Sequence, residues 1–134
     1  MDLNGLKANN DYLGHERGDV LLKNLAKKLK EVMKHYDDYY MARIGGDEFL
    51  IILENTSYDV LKNVKKMILK SCDSDNITDK ISVSIGVSFS KEQIDIFKLV
   101  RQADDDMYDM KKQISKEYKD EIIKYAEMDN KYIR

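Results

Sequence analysis

The sequence contains no proline and no tryptophan, and Cys72 is its single cysteine among 134 residues. One cysteine cannot form an internal disulfide, and no Cys-x-x-Cys pair or Cys/His cluster is present to hold zinc. A disulfide-stapled scaffold and a structural zinc domain are therefore excluded. Because lone thiols are typical of reducing compartments, we expect a cytoplasmic location.

Long hydrophobic runs and an excess of one charge are also missing. The longest uncharged apolar stretch, Phe49–Leu53, is about five residues, whereas a membrane-spanning helix needs roughly 18. Lys and Arg total 23 against 25 Asp and Glu, a net charge of −2, which offers no broad attraction to polyanions. We expect no membrane contact in this segment and no nucleic-acid partner, so any anionic ligand must be held by local cations.

Hydrophobic periodicity predicts three helices in one domain. Apolar residues recur at helical spacing over residues 18–34, 60–68 and 96–108. Residues 2–11 are rich in turn formers and are predicted to be a loop that enters the first helix, with Asp19 able to cap that helix. The apolar residues of 115–134 recur at helical spacing amid charge and predict a further helix that protrudes or contacts a partner.

Three strands are predicted between these helices. Two β-prone runs, Tyr39–Arg43 and Phe49–Leu53, flank a glycine-containing turn and form a hairpin. Residues 81–89 alternate apolar and small polar side chains, which predicts a strand with one buried face. The order of elements indicates an α+β fold with a mostly antiparallel sheet covered by helices.

The hairpin tip carries the sharper chemical signal, Gly45-Gly46-Asp47-Glu48. Two adjacent carboxylates repel unless a cation lies beside them, and Mg²⁺ commonly uses one or two carboxylates plus substrate phosphates. The glycines permit positive φ and leave room for a flat ligand against the backbone. The alternative is an ordinary solvated turn.

The start of the chain holds a second set of suitable groups. Asp2 and the Leu3 backbone carbonyl can give oxygen ligands to the same cation. The Gly5 and Leu6 amides near a helix start, together with the Lys7 ammonium, form an arrangement by which proteins hold phosphates.

Asn10 and Asp19 suit the guanine edge. A carboxylate accepts from guanine N1–H and the N2 amino group, and an amide donates to O6 or N7, whereas adenine lacks this pattern. The alternatives are a turn at Asn10-Asp11, a helix cap at Asp19 and a structural role for His15.

Together these motifs resemble a known family. The pattern Asp-x-Asn-Gly-Leu-Lys-x-x-Asn-Asp-x-x-Gly-His-x-x-Gly-Asp from residue 2, followed by Arg-Ile-Gly-Gly-Asp-Glu-Phe from residue 43, closely resembles the GGDEF domain family of bacterial diguanylate cyclases. Residues 82–87 and 103–111 are also similar to that family's pattern. The resemblance implies a ferredoxin-like, nucleotidyl-cyclase palm fold whose β-hairpin carries the signature, with residues 1–114 as the GGDEF domain and 115–134 as a C-terminal helical extension.

The resemblance also implies an activity. The family condenses two GTP molecules into cyclic di-GMP and two pyrophosphates, using Mg²⁺ or alternatively Mn²⁺. Catalysis needs a second GGDEF protomer in a homodimer, and a sensor domain usually lies upstream. The alternative function is a non-catalytic GTP-binding or dimerising regulatory module.

Residue by residue, the resemblance implies catalytic, metal and substrate groups. The catalytic residues would be Asp47 and Glu48. The metal ligands would be Asp2, the Leu3 carbonyl, Asp47 and Glu48. The substrate-binding residues would be Gly5, Leu6, Lys7, Asn10, Asp19, Gly45, Gly46 and Lys111.

Three departures from the family pattern stand out. Residues 36–39 read Tyr-Asp-Asp-Tyr where many members carry an inhibitory Arg-x-x-Asp site, so product feedback is expected to be weak. Residues 114–116 read Ile-Ser-Lys where the family has Gly-Arg-Asn, which removes a basic group. The family's first strand and the helix before it do not precede Asp2, so we expect unpaired strand edges and exposed apolar surface.

Overall fold

The computed structural model describes residues 1–133, with side chains described through residue 130. This part of the chain forms four helices and four strands. The helices are α1 (Leu6–Leu13), α2 (His15–Met33), α3 (Tyr58–Cys72) and α4 (Ile96–Ile133), and the strands are β1 (Asp2–Leu3), β2 (Tyr39–Arg43), β3 (Phe49–Leu53) and β4 (Val83–Ser84). Their order along the chain is β1-α1-α2-β2-β3-α3-β4-α4. Among the described residues, every helix is too polar or too short to cross a membrane. The predicted α+β class is confirmed.

The strands form two antiparallel two-stranded sheets, and β1 links them through an isolated bridge. β1 pairs with β4 through Asp2 and Ser84, while β2 and β3 form the predicted hairpin. On its other side, Asp2 forms an antiparallel bridge with Glu48 next to β3. The strand order is therefore β4-β1-β3-β2 with antiparallel neighbours, which is the ferredoxin-like arrangement.

Helices cover both faces of this sheet. The main core joins leucines of α2 to Val64 and Ile68 of α3, and Ile85 packs into the same cluster. Gly86 faces the other way, because a Cβ placed there would lie 1.7 Å from the Ala103 carbonyl oxygen of α4. α2 and α3 therefore pack on one face and α4 on the other.

The sheet is interrupted beyond β1. The strand predicted over residues 81–89 is limited to Val83–Ser84, so that prediction is wrong for residues 81–82 and 85–89. β1 spans two residues, so among the described residues no neighbouring strand is present for residues 85–89 to pair with. A groove of about 1240 Å³ instead separates β3 from residues 85–90, between α3 and α4. The expected unpaired strand edges lie along this groove.

The chain start differs from the predicted loop. Residues 6–13 form α1, because Ala8 and Asn9 are buried against the rest of the molecule and packing outweighs the weak helix propensity of the asparagines. α2 begins at His15 after Gly14, so Asp19 lies within the helix, and the prediction of Asp19 as its cap is wrong.

The C-terminal segment continues α4 instead of forming a separate helix. Tyr118 and Ile122 are buried against Ala8 of α1, so this part of the helix packs onto the domain. Residue 134 of the predicted extension lies outside the described residues. The boundary at residue 114 stays a prediction.

Candidate functional site

The hairpin tip is a five-residue turn between β2 and β3. The Ile44 amide donates to the Glu48 carbonyl at 2.9 Å, which closes the turn. The Arg43 guanidinium donates to the Gly45 carbonyl at 3.1 Å and to the Gly46 carbonyl at 2.7 Å. Arg43 thus holds the tip, a role that sequence reasoning missed although this arginine directly precedes the signature.

The two tip glycines act differently from expectation. The positive-φ glycines in the described chain are Gly5 and Gly14, so Gly45 and Gly46 do not adopt the positive φ that glycine permits. A Cβ at Gly45 would lie 2.6 Å from Glu48 Oε2, whereas a Cβ at Gly46 would meet nothing within 4 Å. Gly45 accommodates the Glu48 side chain, and the backbone at Gly46 borders open space.

Asp2 lies beside the cation of Lys111, which also interacts with the tip carboxylates. The Asp2 side chain is 3% exposed, and the Lys111 Nζ lies 2.5 Å from its Oδ2. This hydrogen bond raises the pKa of Lys111, and the charges of Asp2, Asp47 and Glu48 raise it further against the opposing effect of burial. The structure therefore brings the predicted residues of the chain start, the tip and α4 to one place.

The oxygen donors at this place suit a hard cation. The Leu3 amide donates to the Asp47 carbonyl at 2.8 Å. Because the N–H and C=O of one strand residue point to the same side, the Leu3 carbonyl also faces the tip. The described residues contain no group of three acidic, His or Cys side chains that would form a complete cage. Carboxylates at one edge of a site, with substrate supplying further oxygens, are typical of Mg²⁺.

A buried hydrogen-bond network fixes the turn that follows β1. Asn4 is 1% exposed and donates through Nδ2 to the hydroxyls of Ser82 at 3.1 Å and Ser84 at 2.9 Å. Ser115 of α4 donates to Asn4 Oδ1 at 3.2 Å. Sequence reasoning gave Asn4 no role, although it occupies the third position of the opening motif.

The predicted phosphate-binding residues form the N-terminus of α1. Gly5 adopts φ 68° as the residue before the helix, and no side chain caps the first turn. The first turn of α1 contains no acidic residue, and Lys7 is exposed. Leu6 and Lys7 thus begin a helix whose first amides are available to an anion.

The predicted guanine-reading residues lie on α1 and α2. The Asn10 Oδ1 is buried and has no hydrogen-bond partner among the described residues, and a Cβ at Gly18 would lie 2.0 Å from it. Asp19 follows Gly18 on α2 and is exposed, as is His15. The structure places Asn10 at the α1–α2 contact and Asp19 one residue beyond it.

Comparison with known proteins agrees with this geometry. A model of the family described as "Diguanylate cyclase, GGDEF domain" matches residues 1–117. The chain belongs to this family. The GGDEF domain is 40% identical over 128 residues to Signaling protein YkoW of Bacillus subtilis (strain 168), covering 89% of this chain and 16% of the relative.

Two further relatives carry names of opposite reactions. Diguanylate cyclase A of Treponema denticola is 33% identical over 117 residues, covering 83% of this chain and 31% of the relative. Cyclic di-GMP phosphodiesterase PdeR of Escherichia coli (strain K12) is 34% identical over 116 residues, covering 83% of this chain and 17% of the relative. The GGDEF domain thus spans less than a third of the length of these curated relatives.

The departures from the family pattern have structural counterparts in this GGDEF domain. The Tyr36 hydroxyl contacts Met67 Sδ at 3.6 Å, where the resemblance expects an arginine. Asp38 adopts φ 48°, and its carbonyl accepts from the Glu54 amide at 2.9 Å. This segment therefore serves the hairpin base, and the weak product feedback stays a prediction.

Proposed function

We propose that this GGDEF domain binds GTP with Mg²⁺ and condenses two GTP molecules into cyclic di-GMP and two pyrophosphates. The observation that carries the proposal is the bridge between Asp2 and Glu48, with Lys111 against Asp2. Residues from three distant parts of the chain meet there beside the start of α1. Family membership and the relative named diguanylate cyclase support this reaction.

The triphosphate is held by cations and amides of this chain. The Gly5 and Leu6 amides lie at the start of α1, where the described residues supply no side-chain cap. Lys7 and Lys111 add positive charge, which offsets part of the roughly four negative charges of a triphosphate. The slightly acidic domain thus binds an anion through local groups.

The guanine base is read by Asn10 and Asp19. Asn10 lies at the α1–α2 contact beside Gly18, and its side-chain amide nitrogen donates to guanine O6 or N7. The exposed Asp19 carboxylate accepts from N1–H and the N2 amino group, which adenine does not offer.

The reaction itself requires that the two GTP molecules be correctly positioned and that the negative charge of their phosphates be compensated. Asp2, the Leu3 carbonyl, Asp47 and Glu48 would hold Mg²⁺, which when bound neutralises charge on the phosphates. The 3′-oxygen of one GTP forms a bond to the α-phosphorus of the other as the bond to pyrophosphate breaks. The Asp47 carboxylate accepts the proton that leaves the 3′-hydroxyl. Phosphoryl transfer of this type requires no covalent nucleophile from the protein.

Two copies complete the reaction. One domain supplies one guanine-reading pair and one carboxylate tip, while the product contains two guanosines. A two-fold homodimer presents each tip to the GTP of its partner. This chain spans less than a third of the length of its curated relatives. We therefore propose that a sensor domain of the full-length protein controls how two copies of this domain meet. We also expect a cytoplasmic location.

A second candidate is a regulatory module that binds GTP without turnover. Two observations favour it: Lys111 already neutralises Asp2, and one matched relative is named a cyclic di-GMP phosphodiesterase. In this case GTP binds, but no cyclic di-GMP forms.

Incubation with GTP and Mg²⁺, followed by chromatography for cyclic di-GMP, tests the proposal. We expect product from the unmodified chain and a loss of at least about a hundredfold in Asp47→Asn. Asp59→Asn, an exposed α3 position paired with Lys62, is the control and should keep full activity. GTP binding without product establishes the regulatory module, and absence of both binding and product refutes both functions.

A further inference from the structure

One face of α4 contacts successive residues at the start of the chain. The contacts are Lys111 to Asp2, Ser115 to Asn4, Tyr118 to Gly5, and Ile122 to Gly5. The α4 positions are spaced by four, three and four residues, which places their side chains on one stripe of the helix. A single rigid helix therefore lies along both the candidate metal ligand Asp2 and the turn that begins α1.

Tyr118 fits this turn closely. Its side chain is 2% exposed, and its Cδ1 would lie 2.8 Å from a Cβ at Gly5. Gly5 has φ 68°, so both its conformation and the nearby ring require glycine. The Tyr118 ring thus occupies the space that a side chain at position 5 would fill.

The far end of the tyrosine is also held. Its hydroxyl donates to the Lys80 carbonyl at 3.3 Å, and the Lys80 ammonium pairs with Glu121 of α4 at 3.0 Å. Burial raises the pKa of Tyr118, so its hydroxyl stays protonated and able to donate. The ring is therefore fixed between the turn and the loop before β4.

This contact lies outside the main core. Tyr118 and Ile122 form a small cluster with Ala8, flanked by Leu13 and Ile77, whereas α2, α3 and the sheet share a separate cluster. The small cluster packs around α1 and against the loop before β4. Removing contacts in this cluster should therefore disturb the turn that begins α1 more than it destabilises the whole fold.

We propose that Ser115 and Tyr118 are positioning residues, which hold residues 4–7 so that the first amides of α1 face the phosphates of the nucleotide. The inference rests on the proposed GTP site. Ser115 stands where the family resemblance expects a basic residue, and it contacts Asn4 instead of contributing charge. Here α4 contributes to nucleotide binding through the shape of the turn as well as through Lys111.

Four variants test this role. Tyr118→Leu removes the ring, Tyr118→Phe keeps it, and Ser115→Ala removes the bond to Asn4. Tyr108→Leu, at a position on α4 that is 56% exposed, is the matched control. We expect the KM for GTP, and its Kd by calorimetry with Mg²⁺, to rise about tenfold in Tyr118→Leu and several-fold in Ser115→Ala, with kcat nearly unchanged. Tyr118→Phe, which keeps the ring and loses only the bond to Lys80, should raise both constants less than Tyr118→Leu does, and the control should bind like the unmodified chain.

Amide hydrogen exchange without nucleotide separates this inference from the proposed function. The Asn4 amide bonds to Ser82 at 2.8 Å and the Asn9 amide to Gly5 at 2.9 Å, so both report on the turn. In Tyr118→Leu we expect both to exchange about tenfold faster, while amides of the α2 core keep their rates. If the unmodified chain does not bind GTP, the proposed function fails and exchange alone decides the positioning role.

The inference is overturned if folded Tyr118→Leu keeps both the exchange rates and the GTP affinity of the unmodified chain. If Tyr118→Leu does not fold, Ser115→Ala decides by the same two measurements. A fall in kcat alone, with unchanged KM and unchanged exchange at Asn4 and Asn9, also refutes a positioning role.

Discussion

At the scale of single residues, buried charge explains the most distinctive contact in the site. Asp2 is almost fully buried, and an unpaired buried carboxylate costs several kcal/mol. Lys111 balances this charge and is itself 41% exposed, so its own desolvation is smaller. The neighbouring Glu48 is exposed and can accept a cation from solvent. The site thus combines one fixed and one accessible carboxylate.

Replacing either of these carboxylates should weaken metal-dependent nucleotide binding. In Asp2→Ala or Glu48→Ala we expect GTP affinity with Mg²⁺ to fall by about tenfold or more, which corresponds to loss of a charge-assisted contact of about 1.5–3 kcal/mol. Calorimetry with and without Mg²⁺ measures the change. Asp59→Ala serves as control, and unchanged affinity in both site variants would contradict the metal assignment.

Asn10 and Asp19 should decide between GTP and ATP. A site whose hydrogen-bonding groups match one base rejects a base that leaves those groups unpaired, so we expect ATP to compete at least about tenfold more weakly than GTP. Asp19→Ala should reduce this preference by about tenfold or more, whereas Asp11→Ala, an exposed position on α1, should keep it. A displacement assay measures the preference for GTP over ATP in the unmodified chain and in each variant. If ATP competes as well as GTP, Asn10 and Asp19 have only structural roles.

At the scale of elements, the groove beside β3 leaves one edge of that strand without a partner strand in the described part of the chain. Ile44 and Glu48 form a hydrogen-bonded pair at the turn, and Asp38 and Glu54 form one at the hairpin base. Because such pairs alternate along an antiparallel ladder, the Leu50 and Ile52 amides point toward β2. The Ile51 and Leu53 amides therefore point toward the groove.

Amide hydrogen exchange should show this alternation directly. We expect the Ile51 and Leu53 amides to exchange at least about tenfold faster than those of Leu50 and Ile52. The measurement is made by NMR on the folded chain. Equal protection of all four amides would mean that another segment pairs with this edge in solution.

Gly86 is the tightest point between the sheet and α4. A Cβ there meets the Ala103 backbone, which cannot rotate away, whereas a Cβ at Gly46 meets open space. We expect Gly86→Ala to lower the free energy of unfolding by about 2–3 kcal/mol or more, and Gly46→Ala to change it by less than about 0.5 kcal/mol. Urea denaturation compares the two. Similar values for both variants would contradict the close packing of α4.

At the scale of the whole molecule, the proposed reaction depends on concentration. If two copies are needed, activity should fall faster than linearly on dilution, and an Asp47→Ala chain mixed with active chain should inhibit it. The specific activity is measured across about a hundredfold dilution that spans the monomer–dimer transition. A constant value would indicate that one chain contains a complete active site.

The amino-acid sequence by itself determined the features that depend on neighbours along the chain. The hairpin strands have the predicted bounds, Tyr39–Arg43 and Phe49–Leu53, and α3 lies where the apolar spacing predicts it. The signature places Asp47 and Glu48 at the hairpin tip as expected. Local periodicity and turn chemistry act over a few residues, so these elements need no knowledge of the rest of the fold.

Only the tertiary structure decided what depends on distant partners. α1 forms because its polar sequence is packed against α2 and α4, and the strand expected over residues 81–89 is short because β1 leaves most of it unpaired. Lys111 reaches Asp2 across 109 positions of sequence, and α4 continues past residue 114 to cover Gly5. Side-chain patterns show which face of an element is apolar, but burial and hydrogen-bond geometry choose the partner that covers it.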